Sequence, residues 1–265
     1  MASRHDAFFS GDLYEPYVGR WSRRLAPMFI QWLDVPPGKS WIDVGCGTGA
    51  LASSVLQIAE PAAVVGIDPS SGFVTYSAAK IRDPRASFRV GDAKALEFAD
   101  ASFDAVVAGL VLNFTGDPDR TALEMRRVAR HGGTVGAYVW DYAEGMRMMR
   151  VFWDAAIELD SAALARDEGA RFPICRPDAL RACFEGAGLQ DVDVRALDLE
   201  MAFKDFDDYW KPFLGGQAPA PAYAMSLSEE DRVRLRELVR SRLPIASNGS
   251  LDLVSRAWAV RGVAP

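Results

Sequence analysis

Trp41-Ile-Asp-Val-Gly-Cys-Gly-Thr-Gly-Ala-Leu51 decides how the rest of the chain is read. A short apolar run ends in glycines at alternate positions, and a helix-compatible segment follows at once. That order reads as a strand turning sharply into a helix. Gly45, Gly47 and Gly49 permit backbone conformations closed to other residues and leave no side chain between main chain and ligand. The free N–H groups of a helix N-terminus then point into the turn. The stretch predicts a nucleotide-like ligand lying across the end of the first strand of an α/β sheet.

Downstream the pattern repeats. Residues 50–59 read as a helix, 62–68 as a short buried strand ending in an acid, and 72–81 as a helix that Ser70 or Ser71 caps. Strands follow at 86–92 and 103–109. A helix opens at Pro118 and stops at His131-Gly-Gly133, before a strand at 134–140. Alternation of helices with near-continuously apolar strands predicts a parallel sheet covered on both faces. Upstream, apolar residues between 13 and 33 recur at three- and four-residue steps, predicting amphipathic helix broken at Pro16 and Pro27. Past 140 the chain is less regular: helices at 144–160, 177–187 and 228–243, alternating strands at 192–201 and 250–261, and an aromatic, Gly- and Pro-rich tract at 205–221.

Composition sets the outer bounds. The 265 residues are 49% hydrophobic and 25% charged, ordinary for one globular domain with insertions. No apolar run approaches the roughly 20 residues of a membrane helix, and the first residues lack the apolar stretch of a signal peptide. Three cysteines, Cys46, Cys175 and Cys183, show neither metal nor disulfide spacing, which suits a reducing cytoplasm. A net charge of −6 argues against nucleic acid as a partner, since such binding needs clustered Lys and Arg.

Gly45-Cys-Gly-Thr-Gly-Ala50 alone fits dinucleotide binding as well as tighter turns. Three acids narrow the choice. Asp43 stands just before the first glycine, where an acceptor can meet a cationic amine. Asp68 ends the second strand roughly 20 residues on, where a carboxylate can accept from both ribose hydroxyls. Asp92 ends the third strand, where it can read an exocyclic amine on adenine. The set fits a nucleoside bearing an amino acid and needs no pyrophosphate.

With these motifs the chain resembles the class I S-adenosylmethionine-dependent methyltransferases, especially the small-molecule group of ubiquinone and menaquinone biosynthesis. The resembling stretches are Ile42-Asp-Val-Gly-Cys-Gly-Thr-Gly49, Gly66-Ile-Asp-Pro-Ser70, Gly91-Asp-Ala93, Ser102-Phe-Asp-Ala-Val106 and Glu124-Met-Arg-Arg-Val-Ala-Arg-His-Gly-Gly133, in order across about residues 36–140. The resemblance implies a single Rossmann-like, doubly wound α/β domain over 1–265. Its sheet has about seven strands, mostly parallel with an antiparallel last strand, and helices on both faces. It implies N-terminal lid helices at 13–33, a cofactor-binding core at 36–140, and cap or substrate insertions at 141–175 and 202–249. It places the methionine end of S-adenosylmethionine at Asp43, Gly45, Cys46, Gly47 and Gly49, and the ribose at Asp68 with Pro69. Adenine falls at Asp92 with Ala93, the methionyl wall at Gly109 and Leu110, and the lid at Tyr14 and Arg20, the latter facing the cofactor carboxylate. The implied activity is methyl transfer to a small, apolar or aromatic metabolite in the cytoplasm, without nucleic acid, membrane or metal.

Two other classes stay open on the residues alone: a nicotinamide-dependent oxidoreductase using the same glycines, and a non-catalytic S-adenosylmethionine-binding protein. Cys46 reads as a small residue of the turn, His131 as a turn residue, and Met146, Met148 and Met149 as packing. Asn113-Phe114 stands where amino-methylating families carry an Asn- or Asp-Pro-Pro-aromatic motif, which is absent. Trp153, Phe172, Phe206, Tyr209, Trp210 and Phe213 are either the core of a cap or the lining of an apolar substrate pocket. No residue qualifies as a general base; Asp12, Tyr14, Asp141 and Glu144 stand only at the pocket edge. Neither the acceptor nor the oligomeric state is legible.

Overall fold

Strand β1 (Ser40–Val44) sits at the middle of the sheet because Trp41, Ile42 and Val44 are wholly buried there. The computed structural model describes residues 15–216 and 218–265. With β2 (Ala63–Asp68), β3 (Ala86–Val90), β4 (Phe103–Gly109), β5 (Ala129–Trp140), β6 (Gln190–Phe203) and β7 (Leu251–Val263), it forms a seven-stranded sheet of order β3-β2-β1-β4-β5-β7-β6. β7 alone runs against its neighbours β5 and β6. The order reverses between β1 and β4, so a crevice opens beyond their carboxyl ends, the usual ligand position in a doubly wound sheet.

Helices α1 (Arg20–Leu33), α2 (Ala50–Ile58) and α3 (Ser71–Lys80) lie on one face; Phe29 and Leu33 of α1 fill the space beside Gly136 of β5. Ser70 caps α3 by accepting from Phe73 N. Helix α4 (Pro118–Val128) covers the other face.

Two boundaries depart from the sequence reading. Pro27 does not break the first helix but lies inside α1. A mid-helix proline costs about 3 kcal/mol. Leu25, Ala26, Phe29, Ile30 and Leu33 are buried around it, and large apolar side chains return roughly 1.5–3 kcal/mol each. The second departure is at 131–133: α4 already ends at Val128, and these residues belong to β5. There the β4 register jumps from Phe103↔Ala129 to Ala105↔Thr134, a bulge in which Gly132 N donates to Ala264 O. His131 is exposed on that bulge, at the end of the sheet away from the glycine turn.

The chain leaves the sheet twice after β5. Between β5 and β6 come α5 (Arg147–Leu159), the four-residue α6 (Glu168–Arg171) and α7 (Pro177–Gly186), which packs against α4. Between β6 and β7 come α8 (Phe206–Trp210), α9 (Pro219–Ser226) and α10 (Glu229–Arg242), which packs against α5. The Phe152 and Phe213 rings stack at 4.7 Å, joining the two excursions, and Tyr17 meets Phe213 edge-on at 5.5 Å. Met146, Met148 and Met149 are buried in this packing. Of the six aromatics singled out in the sequence, five are sealed in this cap core and only Phe172 is half-buried. Among the described residues no helix is long and apolar enough to cross a membrane.

Candidate active site

The glycine turn is knitted to the end of β2. Gly45 N and Cys46 N both donate to Ile67 O at 2.8 Å, and Gly47 N donates to Asp68 Oδ2 at 3.0 Å. Ser77 Oγ donates to Gly47 O at 2.7 Å from α3. Gly45 sits at φ +74°, and a Cβ there would lie 2.4 Å from Val111 Cγ2, so the turn presses against the segment following β4. Gly47, at φ +50°, has no heavy atom within 4 Å of its Cβ position and leaves an opening above the turn.

Asp43 accepts from Ala52 N at 3.0 Å through Oδ2, while Oδ1 is buried with no hydrogen-bond partner. Burial pushes its carboxyl up to about 7, against the opposing Ala52 hydrogen bond and with help from the Asp68 charge. A buried acceptor without a donor is costly; an ammonium at that oxygen would supply both the donor and the counter-charge. Asp68 spends one lone pair of Oδ1 on Ser70 N at 2.9 Å and one of Oδ2 on Gly47 N. The remaining lone pairs are enough for two hydroxyls. Burial raises its pKa, opposed by those two N–H groups.

The other sequence-singled residues fall as follows. Pro69 is exposed beside Asp68. Asp92 is exposed past the end of β3 and accepts from Lys94 N, and Ala93 is buried next to it. Gly109 ends β4 against the Tyr138 phenol, and Leu110 follows at φ +59°. Cys46 is buried at the turn, and burial moves its thiol upward, away from nucleophilic use. Arg20 is committed elsewhere: Nη1 pairs with Asp208 at 2.9 Å, and the guanidinium lies over Trp21 and Phe203. Tyr14 and Asp12 lie outside the described residues. Asp141 is buried and accepts from Glu144 N, while Glu144 is exposed.

Beyond the carboxyl ends of β4 and β5, side chains from separate segments converge. Phe114 meets Phe172 at 5.3 Å, and Phe172 meets Tyr142 at 6.2 Å. Asn113 is buried with Nδ2 unpartnered. Close by, Glu168 is 1% exposed and accepts the indole N–H of Trp153. Burial pushes its carboxyl up to about 8. Sequence reading passed over Glu168 because a lone glutamate before a four-residue helix carries no periodicity.

A methyltransferase-domain family model matches residues 42–136. The demethylmenaquinone methyltransferase of Roseiflexus castenholzii is 34% identical over 175 residues, covering 61% of this chain and 72% of that protein. The chain belongs to the class I S-adenosylmethionine-dependent methyltransferases. The same enzyme from Roseiflexus sp. strain RS-1 is 32% identical over 173 residues, with 61% and 72% coverage. In fold, this methyltransferase resembles the Haemonchus contortus phosphoethanolamine N-methyltransferase 2 solved with S-adenosylhomocysteine. That match has a TM-score of 0.59 at 16% identity and covers 96% of this chain and 56% of that one. It also resembles the [4+2]-cyclase SpnF, with a TM-score of 0.57 at 20% identity over 99% and 87%. S-adenosylmethionine is the cofactor, and neither the oxidoreductase nor the non-catalytic reading is favoured. The unpartnered Asp43 Oδ1 and the open space over Gly47 fit a cofactor bearing an ammonium group.

Proposed function

We propose that this methyltransferase acts on a small apolar or aromatic metabolite, bound beyond β4 and β5 beside the cofactor. The observation that carries this reading is the aromatic set of half-buried Phe114 and Phe172 with buried Tyr142, beyond the carboxyl ends of the two strands. Small-molecule sites are mostly apolar with few polar groups. The demethylmenaquinone methyltransferases similar to this chain are named for an acceptor of that kind.

In this reading Asp43 and residues 45–49 receive the methionine end, Asp68 with Pro69 the ribose, and Asp92 with Ala93 the adenine. Gly109 and Leu110 wall the methionyl group, and Tyr14 belongs to the lid. Arg20 serves the lid by latching it to Asp208, since reaching a cofactor carboxylate means leaving that partner. When bound, S-adenosylmethionine supplies a methyl group already activated on a sulfonium. The protein's own work is alignment and the exclusion of water. The glycine turn and Asp68 fix one side, and the interlocked rings of Tyr17, Phe152 and Phe213 roof the other.

Incubation with labelled S-adenosylmethionine and a panel of quinols, phenols, amines, peptides and oligonucleotides tests the reading. Transfer confined to the aromatic small molecules is expected. Transfer to peptide or oligonucleotide, with none to the aromatics, would overturn it.

A further inference from the structure

Glu168 is a buried carboxyl group to which the site, as described so far, gives no role. The segment that carries it packs on the loop after β5: a Cβ at Gly169 would lie 2.7 Å from Tyr142 O and 3.0 Å from Ala143 Cα. Its indole donor comes from Trp153 on α5. Four residues on, Phe172 is the ring that meets Phe114 and Tyr142. The carboxyl group therefore belongs to the same short segment that carries Phe172 into the aromatic set proposed to receive the acceptor.

Among the described residues no cation forms an ion pair with it, although Arg171 lies near enough to act on its charge. Arg150, the buried arginine of α5, pairs with Asp167 at 2.8 Å and Asp154 at 2.7 Å and donates to Tyr142 O. Arg171, on its own helix, favours the ionised form, Asp167 opposes it, and the largest influence is burial. Tyr17 faces it from the lid turn and Cys175 from the turn before α7, and Glu168 raises the pKa of both. Tyr142 and Asp141, from the loop after β5, act on Tyr17 and Cys175 respectively. Buried carboxyl groups normally carry a cation or several N–H donors. A carboxyl group buried with no ion pair among the described residues, on the segment that carries Phe172 into the aromatic set, has the environment of a general base.

We propose that Glu168 is the proton-accepting residue of the methyl transfer, taking the proton of an acceptor bearing a phenolic, enolic or quinolic O–H. The acceptor's oxygen or conjugated carbon forms a bond to the methyl carbon, and the methyl–sulfur bond breaks with its electron pair remaining on sulfur. The acceptor's proton passes to the Glu168 carboxylate, which returns it to solvent after product leaves. Trp153 is a positioning residue: its N–H orients the carboxyl group and favours its ionised form. This inference rests on the acceptor reading given above.

The test is calorimetry at pH 9 in buffers of different ionisation enthalpy, with 4-nitrophenol added to the protein saturated with S-adenosylhomocysteine. 4-Nitrophenol is an anion at that pH and Glu168 is mostly ionised. Seating the phenolate against the carboxylate requires uptake of about one proton. Wild type is expected to take up that proton and Glu168→Gln none, with S-adenosylhomocysteine affinity equal in both. Trp153→Phe, which leaves Glu168 more fully protonated beforehand, takes up less than wild type. Absent phenol binding overturns the acceptor reading on which the assignment rests; phenol binding without uptake in wild type, or with equal uptake in Glu168→Gln, overturns the assignment of Glu168 itself. A wild type that binds no S-adenosylhomocysteine instead overturns the cofactor seat itself.

Discussion

Replacing Asp43 with Asn separates what the fold tolerates from what the cofactor needs. The folded protein holds the Asp43 proton up to about pH 7, against 3.8 for the ordinary carboxyl group. A folded pKa above the unfolded one makes ionisation a cost to folding. That cost is absent below pH 3.8, grows by about 1.36 kcal/mol per pH unit up to 7, and is constant above. Its ceiling is about 4 kcal/mol. Asn keeps an oxygen for Ala52 N and carries no charge. The stability of Asp43→Asn relative to wild type, both free of cofactor, should therefore rise by roughly 2.5 kcal/mol between pH 5 and pH 8. Urea denaturation at the two pH values measures it, and subtracting wild type cancels the titrating groups that do not interact with Asp43. The same substitution should weaken S-adenosylhomocysteine binding by about 1–3 kcal/mol, because a charge-assisted bond to the ammonium is lost. A stability difference that does not change with pH refutes the burial argument. Unchanged affinity refutes the place of Asp43 in the cofactor seat.

Asp68→Ala frees Gly47 N and Ser70 N and should lower S-adenosylhomocysteine affinity by about 1–3 kcal/mol by calorimetry; a folded variant with unaltered affinity refutes the ribose assignment. Gly45→Ala should cost about 1–3 kcal/mol in urea unfolding, because its Cβ meets Val111 at a left-handed φ. Adding Val111→Ala removes the two methyl contacts but keeps the Cβ at 2.9 Å, so it should recover part of the steric cost beyond that substitution's own and leave the backbone part; strict additivity would refute the contact as the cause. Asp167→Ala leaves the buried Arg150 guanidinium with the exposed Asp154 as its carboxylate partner and should cost about 1–3 kcal/mol, with a loss under about 0.5 kcal/mol counting against the pair.

The fold of the glycine-turn half was legible because its determinants are local. A short apolar strand, a glycine turn and an acid at the next strand's end are consecutive letters, and their spacing follows from strand length and loop length alone. The small errors were local features that tertiary contacts overrode. Pro27 stays helical because apolar residues on either side of it are buried on a continuous face. Residues 131–133 join β5 because Gly132 and Gly133 bond to Ala264, far along the chain.

By itself, then, the sequence determined the order of strands and helices, the glycine turn, and the acids Asp43, Asp68 and Asp92 around it. Only the tertiary structure decided which groups lack a partner. The unpaired Asp43 Oδ1, Arg20 drawn away to Asp208, and Glu168 buried against Trp153 are all outcomes of contacts between segments distant in sequence. Periodicity reports which face of an element turns inward. It does not report what waits there, and the free energy of a buried charge depends on that neighbour.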